Sequence, residues 1–342
     1  MSKISVLGVD LGKNVLHVHG VDRAGREVMR RRVKRSGFTR LLGELEPCVV
    51  AMEACGGAHY WGRLCRELGH EPRLIPPAYV KGYVTRNKND WRDAEAICEA
   101  AQRPKLNQHW VSVKTVEQQE LQMVHRVRSA MVKQRTRLAN QVRGFLLEYG
   151  VVVGRGIAVL RRRLPELLED GENGLTPVGR ELFARLYEEL CRLDEEVAHY
   201  DARLAARCRE DEGCQRLVAV TGIGVQTATA AVAHAGDARS FANGRHFAAS
   251  LGLVPRQHGT GGKPGLQGIS KRGNRSLRTL YIHAARAALR TAARRDDRLS
   301  RWVLEVERRR GRNVATVALA NKLARISWAL LRRRDTYRAQ AA

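Results

Sequence analysis

Residues 6–12 read VLGVDLG, an aliphatic run with a single acidic residue, Asp10, in its second half. Apolar residues keep alternating with polar ones to about Val33, and two turn segments, GKN at 12–14 and DRAG at 22–25, divide the run. Alternating apolar residues bounded by turn residues are typical of antiparallel strands. We therefore predict three consecutive antiparallel strands, the first of which carries a carboxylate.

The next part of the chain alternates between helix and strand patterns. Helices are predicted near residues 38–45, 60–68 and 90–101, and strands at 48–53 and 73–75. A strand meander followed by alternating helices and strands is the order of an α/β layered domain. We therefore assign the N-terminal region to the α/β class.

Helical spacing dominates the middle of the chain. Apolar residues recur at helical intervals over residues 116–149, and Thr176-Pro177 predicts a helix start, with the threonine as N-cap and the proline as first helical residue. In the helix that follows, apolar residues are spaced alternately three and four apart: Phe183, Leu186, Leu190, Leu193, Val197, Tyr200 and Leu204. This heptad seam fits either an intramolecular helical hairpin or a dimerising coiled coil.

The last third of the chain is strongly basic. The whole sequence has 61 Lys and Arg against 35 Asp and Glu, a net charge of +26, and residues 238–342 hold 24 of the basic residues against 5 acidic ones, a net charge of +19. A surface this basic suits a polyanion, and each neutralised phosphate of a nucleic acid releases counterions. No apolar run approaches the roughly 18–20 residues that span a bilayer, so we expect a nucleic-acid partner and no membrane.

The N-terminus and the cysteines indicate a cytoplasmic protein. The first residues, MSKISVLG, lead directly into a strand pattern without the features of a signal peptide. The seven cysteines are odd in number and form no CxxC pair, which suits neither a disulfide framework nor a zinc ribbon. We expect a reducing compartment in which they serve as small apolar residues.

Two glycine-rich segments lie in the last third of the chain. Residues 217–224, LVAVTGIG, precede an alanine-rich helix, and their tight turn either directs backbone N–H groups at a phosphate or is a plain turn between helices. The second segment, GTGGKPG at 259–265, is predicted to be a loop, followed by GISKRGN at 268–274 and by helices. The C-terminal domain is therefore predicted to be mostly α-helical.

Four carboxylates carry the chemistry that the sequence suggests. Asp10 and Glu53 both end or interrupt aliphatic strands, where an ionised group is costly to bury unless a cation pairs with it. Asp90 and Asp93 are three residues apart at a helix start and share a face. Taken alone, Asp10 fits a strand-end turn, but four such oxygen ligands at one sheet edge suit Mg²⁺ or Mn²⁺. Two such ions about 4 Å apart can stabilise both the attacking and the leaving oxygen of a phosphodiester displacement.

These motifs resemble a known family. GVDLGK at 8–13, MEACG at 52–56 and KNDWRDA at 88–94 resemble the DEDD signature of a RuvC-like, ribonuclease-H-type domain. Together with LVPRQH at 253–258, the glycine-rich loop and ISKRG at 269–273, they resemble the DEDD transposases of the insertion-sequence family IS110, in its IS1111 branch. The likeness runs from Ile4 to about Arg334.

The resemblance implies an architecture and a set of partners. It implies a RuvC-like DEDD domain at 1–112, a helical coiled-coil linker at 113–212 and a basic transposase domain at 213–342. In the family, a hydroxyl in the last domain attacks DNA and forms a covalent link, and the carboxylates of the first domain complete the site across protomers of a tetramer. A noncoding RNA encoded by the element pairs with donor and target DNA. We therefore expect DNA, a guide RNA and a homo-oligomer, dimer or tetramer.

The resemblance also implies a nucleophile. The family places a serine just before a glycine in the loop after the Pro-Arg motif, and that position is Thr260 here. A threonine hydroxyl can act as a nucleophile, but its branched Cβ crowds the attack. Three alternatives stay open: Thr260 is the nucleophile, Ser270 or Ser276 serves instead, or this copy is inactive. A turn residue between glycines is the structural alternative for Thr260.

Basic residues surround this loop in the sequence. Arg256 belongs to the Pro-Arg motif, and Lys263, Lys271 and Arg272 follow in and after the glycine-rich loop. We predict that these four side chains bind nucleic-acid phosphate close to the reaction. Ordinary surface charge is the alternative.

Two other functions remain possible from the sequence. A stand-alone structure-selective nuclease would use metal-activated water and form no covalent adduct, but it leaves the glycine-rich loop and the basic C-terminal third without a role. A non-catalytic nucleic-acid-binding protein would bind without Mg²⁺-dependent strand breakage, but all four carboxylates are present, which argues against it. A covalent protein–DNA adduct on a denaturing gel separates the transposase from both.

Overall fold

Residues 3–83, 89–103, 110–260 and 263–338 are described by the structure, a computed structural model. The chain forms two compact units, Met1–Gln119 with Ala235–Phe247 and Glu120–His234 with Ala248–Ala342. The first is a mixed α/β domain and the second is mostly helical, which confirms the predicted fold class at this level. The ribonuclease-H-type likeness and the three-part division of the chain stay predictions.

A mixed sheet forms the centre of the first unit. Its strands are β1 (Val6–Leu11), β2 (Val15–Val21), β3 (Glu27–Lys34), β4 (Val49–Glu53) and β5 (Glu71–Ile75). Their spatial order is β3-β2-β1-β4-β5. The first three strands form the predicted antiparallel meander, whereas β4 runs parallel to β1 and β5 parallel to β4. β1 is therefore central, and its C-terminal end lies beside that of β4.

Helices cover both faces of this sheet. They are α1 (Arg35–Glu44), α2 (Ala58–Glu67), the short α3 (Pro77–Val80) and α4 (Asp90–Ala101). Phe38 of α1 and Trp61 of α2 share one core with Leu7 of β1. Ile97 of α4 shares a second core with Val6 on the other face. Successive strand residues point to opposite faces of the sheet. The position of a residue along its strand therefore determines which helices it packs against.

Gly8 sets the distance between β1 and α4. A Cβ atom at this position would overlap the carbonyl oxygen of Ala94 and lie 2.7 Å from the backbone nitrogen of Cys98. The lack of a side chain therefore lets α4 lie directly on β1. This close packing holds the first turn of α4, which contains Asp90 and Asp93, near the end of β1.

Three helices form the first part of the second unit, which begins within the first of them. They are α5 (Val116–Glu148), α6 (Ile157–Glu169) and α7 (Pro177–Glu210). Thr176 is the predicted N-cap of α7, and its hydroxyl oxygen accepts a hydrogen bond from the backbone N–H of Gly179 at 3.1 Å. Phe183 and Leu190 of the heptad seam share a core with Leu160 of α6 and Val142 of α5. This packing favours the intramolecular alternative for that part of the seam, and the dimerising coiled coil stays a prediction.

The buried seam predicts a large loss of stability on truncation. Leu190 is fully buried, so Leu190→Ala should lower the free energy of unfolding by about 2–5 kcal/mol, as large-to-small core substitutions do. Leu182 on the same helix is exposed, and Leu182→Ala should change it by no more than about 0.5 kcal/mol. Denaturant unfolding measures both. If Leu190→Ala leaves stability unchanged but halves the particle mass in light scattering, the seam is an interface between protomers.

The rest of the second unit is mostly helical, as predicted. Its elements, counting those that lie only partly within it, are α8 (Glu212–Val218), α9 (Val225–Ala235), α10 (Gly244–Ser250), β6 (Pro255–Thr260), β7 (Lys263–Ile269), α11 (Arg275–Thr291), α12 (Arg298–Arg310) and α13 (Arg312–Arg333). Gly222, between α8 and α9, has a φ of +90°, and a Cβ atom there would overlap the carbonyl oxygen of Ala284 in α11. Close helix packing therefore accounts for Gly222, and the phosphate-binding alternative for this turn stays a prediction.

Two expectations about this region need correction. The glycine-rich segment was expected to be a loop, but residues on both sides of positions 261–262 pair as the antiparallel strands β6 and β7. No run was expected to be long and apolar enough to cross a membrane, yet α13 meets that criterion by length and composition. α13 packs against α11 and α12, with Leu319 and Leu323 buried, as a core helix does.

Candidate active site

Asp10 lies at the centre of the candidate metal centre, near the C-terminal end of β1. The antiparallel register places it directly opposite His17 of β2. In the parallel register with β4, Val9 pairs with Met52, so the next residue of each strand is Asp10 and Glu53. Strand pairing alone therefore brings three ligand-bearing residues to one edge of the sheet.

The first turn of α4 adds two more carboxylates. Asn89 is the N-cap, and its side-chain oxygen accepts the backbone N–H of Trp91 at 3.1 Å. Asp90 and Asp93 follow in the first turn, three residues apart, as predicted. Asn89, and not Asp90, caps the helix, which leaves the Asp90 carboxylate available to the site.

The other three carboxylates act electrostatically on Asp10. Burial raises the pKa of the Asp10 carboxyl above its ordinary value, and the charges of Asp93, Asp90 and Glu53 raise that pKa further. His17 acts in the opposite direction. Carboxylates that repel one another in this way favour a bound cation, because its charge removes the repulsion.

The geometry of the cluster fits a metal ion. Ligand atoms of Asp10, His17 and Asp90 all lie within 4.8 Å of one another, and His17 Nδ1 is 3.8 Å from Asp90 Oδ2. Carboxylate oxygens are hard donors that suit Mg²⁺ and Mn²⁺. The donor set therefore fits the divalent cation that the DEDD resemblance implies, with Asp10, Glu53, Asp90 and Asp93 as the residues that would hold it.

His17 is the member of this cluster that sequence reasoning missed. Its signal was the meander itself, because the short turn at residues 12–14 pairs Leu11 with Leu16 and so fixes Asp10 opposite His17. The His17 ring also meets the Trp91 ring edge-on, with 4.7 Å between centroids. His17 is therefore held between a carboxylate and an aromatic ring at the edge of the site.

The candidate nucleophile lies in the second unit, at the end of β6. The backbone of Thr260 pairs with that of Lys263 at the last step of the hairpin, and residues 261–262 of the predicted loop lie outside the described part of the chain. Arg256 is exposed in β6. The backbone positions of Thr260, Arg256 and Lys263 are thus on one short hairpin.

The base of this hairpin is fixed by backbone contacts. The N–H groups of Ser270 and Lys271 donate to the carbonyls of Val254 and Gly252, at 2.8 and 3.1 Å. Gly252 and Gly273 have positive φ, and a Cβ atom on either would overlap the backbone of the other segment. Lys271 and Arg272 are exposed beside this junction.

A side-chain network also holds the base of the hairpin. Asn274 caps α11, with its Oδ1 accepting the N–H of Leu277 at 3.0 Å. Its Nδ2 then faces Nδ1 of His234 at 3.3 Å, and Nε2 of His234 lies 2.9 Å from the Ser250 hydroxyl. These contacts link His234 at the end of the second unit's first segment to Ser250 in α10 and to Asn274 at the start of α11. His234 therefore helps to hold the base of the hairpin in place.

Comparison with known proteins identifies the family of this chain. Residues 7–151 match a family model described as "Transposase", and residues 214–300 match one described as "Transposase IS116/IS110/IS902 family". A carboxylate-bearing α/β unit joined to a basic helical unit is thus the architecture of a transposase. The chain belongs to the IS110 family of transposases, and its enzyme class is DNA transposase, as the motifs predicted.

Full-length relatives agree with this assignment. A "Probable family 20 transposase" of Pseudomonas aeruginosa is 51% identical, over 98% of this chain and 99% of its own length. The transposase for insertion sequence element IS1111A of Coxiella burnetii is 45% identical, over 100% of this chain and 93% of its own. The transposase for IS1328 of Yersinia enterocolitica is 42% identical, over 96% and 97%.

Proposed function

We propose that this transposase cuts and rejoins DNA with Mg²⁺ or Mn²⁺ held by Asp10, Glu53, Asp90 and Asp93. The observation that carries the proposal is that ligand atoms of Asp10, His17 and Asp90 lie within 4.8 Å of one another, while Asp93 and Glu53 also repel the charge of Asp10. A fold that tolerates such repulsion needs a reason for it, and a divalent cation is the simplest one. When bound, the cation supplies a Lewis acid that polarises the scissile phosphate.

The chain's own residues divide the work. The four carboxylates position the cation, and His17, opposite Asp10, adds a ring nitrogen to the edge of the site. Thr260 supplies the nucleophile: its Oγ1 forms a bond to the scissile phosphorus as the bond from phosphorus to the sugar oxygen breaks. The threonine proton passes to water and the leaving oxygen takes one from water, so the step balances. A sugar hydroxyl of the second DNA strand reverses the step and releases Thr260.

The proposal also names the molecules that the enzyme binds. The net charge of +19 on residues 238–342 supports a phosphate-binding role for Arg256, Lys263, Lys271 and Arg272. Guidance by an element-encoded noncoding RNA and assembly into a dimer or tetramer are proposed from the family resemblance. We expect the enzyme to act in the bacterial cytoplasm, on DNA.

The test reconstitutes the reaction. Purified protein is mixed with Mg²⁺, an RNA transcribed from the noncoding DNA that flanks the gene, and duplexes of the element end and the insertion site. We expect a covalent protein–DNA adduct on denaturing gels only when all components are present. Cut DNA without an adduct would assign the reaction to a water-activating nuclease. Binding without any strand breakage would assign the chain to a non-catalytic nucleic-acid-binding protein.

A further inference from the structure

The edge strand β3 carries a dense run of positive charge, RRRVK at residues 30–34. Arg30, Arg31, Arg32 and Lys34 are all exposed. β3 lies at the end of the sheet next to β2, which is itself next to β1 and the candidate metal centre. At about 4.8 Å per strand spacing, β3 is only about 10 Å from Asp10.

Strand register places part of this charge on the same face as the metal centre. Arg32 is directly opposite His17, which is directly opposite Asp10, and residues directly opposite across strands share a face. Alternation puts Arg30 and Lys34 on that face as well. We call Arg30, Arg32 and Lys34 the basic row.

Side-chain contacts confirm this orientation for Arg30. Its guanidinium carbon lies 5.2 Å from the centroid of the Trp91 ring, in a cation–π contact. Trp91 directly follows Asp90 and contacts His17. The basic row is therefore continuous, through Trp91 and His17, with the carboxylates of the candidate metal centre.

Within the part of the chain that the structure describes, no carboxylate forms an ion pair with Arg30, Arg32 or Lys34. Glu27, the acidic residue of the same strand, has its Oε2 3.3 Å from Nδ1 of His19. A row of cations on an exposed strand, without a carboxylate partner among the described residues, is suited to an external polyanion. Alternate strand residues are about 6.7 Å apart, a spacing that lets consecutive side chains reach successive phosphates of one strand.

We propose that the basic row binds the phosphate backbone of the DNA strand that enters the metal centre, next to the phosphate that is cut. The inference rests on the proposed function, because it takes that centre to be where DNA is cut. It assigns DNA binding to the first unit, in addition to the basic C-terminal third. DNA thus contacts a strand edge whose side chains lead directly to Asp10.

A simpler explanation of the charge is protection of the sheet edge. Arginine and lysine on an edge strand discourage pairing with strands of other molecules. Arg31 would serve that purpose equally, but alternation places it on the opposite face, with Met29 and Val33, which contact the α1–α2 core. Arg31 is therefore a matched control within the same strand.

The test compares two variants that lose the same charge. One is Arg32→Gln with Lys34→Gln, which leaves the Arg30–Trp91 contact intact. The control is Arg31→Gln with Arg40→Gln, where Arg40 is exposed on α1. DNA affinity is measured without Mg²⁺ over a range of salt concentrations. We expect the first variant to bind DNA about tenfold more weakly at low salt. The slope of log association constant against log salt should also become less steep by about 2, because two phosphate contacts are lost.

The remaining outcomes separate this inference from the proposed function. The control double variant and Arg32→Lys should both keep the salt slope of the wild type. The melting temperatures of all variants should match that of the wild type. The inference is overturned if both double variants lose DNA affinity equally, or if the first loses none. A loss of affinity for RNA with DNA affinity unchanged would also overturn it and assign the row to RNA. The salt slope is measured without cleavage, so a failed cleavage mechanism leaves this result readable.

Discussion

Asp10→Ala, Glu53→Ala and Asp93→Ala are each expected to abolish DNA cleavage, by about a thousandfold or more, with nucleic-acid binding largely retained. Each substitution removes a proposed metal ligand, and the loss of Lewis-acid stabilisation costs several kcal/mol in the transition state. DNA cleavage in Mg²⁺ measures the effect directly. Near-normal cleavage by any of the three would make the four-carboxylate assignment wrong.

A further variant at Asp10 gives a second, independent readout. Burial and neighbouring carboxylates raise the pKa of Asp10 in the folded state. At neutral pH the ionised Asp10 therefore lowers the free energy of unfolding. Without metal, Asp10→Asn should therefore raise the melting temperature. Mg²⁺ should stabilise the wild type but not this variant, because binding to the folded state alone raises its stability.

A neighbour on α4 provides the control. Glu95 is exposed on the same helix, and Glu95→Ala should leave cleavage and the Mg²⁺-induced stabilisation unchanged. From its position at the start of the helix alone, Asp90 would be the most tolerant of the four carboxylates, because a residue there can act as a cap. Its side chain is 62% exposed, but Asn89 is the cap and Asp90 lies with Asp10 and His17. Asp90→Asn should therefore weaken Mg²⁺ binding as well.

Local patterns predicted the first unit well. The alternation from Val6 onward and its turn residues gave the meander, and the aliphatic runs before Asp10 and Glu53 gave the strands that carry them. The spacing of Asp90 and Asp93 gave their shared position on α4. These features depend on residues close in sequence, where strand and helix periods are decisive.

Features that depend on distant residues were missed. His17 joins the site through strand register, which needs the pairing partner as well as the local pattern. The β6–β7 hairpin was hidden because glycines supply no alternating side chains. Residues 235–247 group with the first unit, and no local composition change marks that return of the chain. The heptad seam was left open between an intramolecular hairpin and a coiled coil, because that choice depends on its contacts with α5 and α6.

The second large effect concerns Thr260. Thr260→Ala should bind DNA and RNA with unchanged affinity but form no covalent adduct, because the variant has no hydroxyl to attack phosphorus. Thr260→Ser should keep or raise activity, since it retains the oxygen and removes the methyl group that crowds the attack. The glycines next to it at 259 and 261 let a backbone approach a phosphate closely. Adduct yield on denaturing gels measures both variants.

Mapping the DNA-linked peptide distinguishes Thr260 from the two serines. Ser270 lies at the base of the hairpin, with its Oγ 3.4 Å from the backbone N–H of Arg272, and Ser276 is exposed in the first turn of α11. Ser270→Ala and Ser276→Ala should therefore still form the adduct, and its linked peptide should contain Thr260. A linked peptide with either serine would move the nucleophile there. Cleavage by Thr260→Ala without any adduct would instead make water the nucleophile, because metal-bound water needs no side-chain hydroxyl.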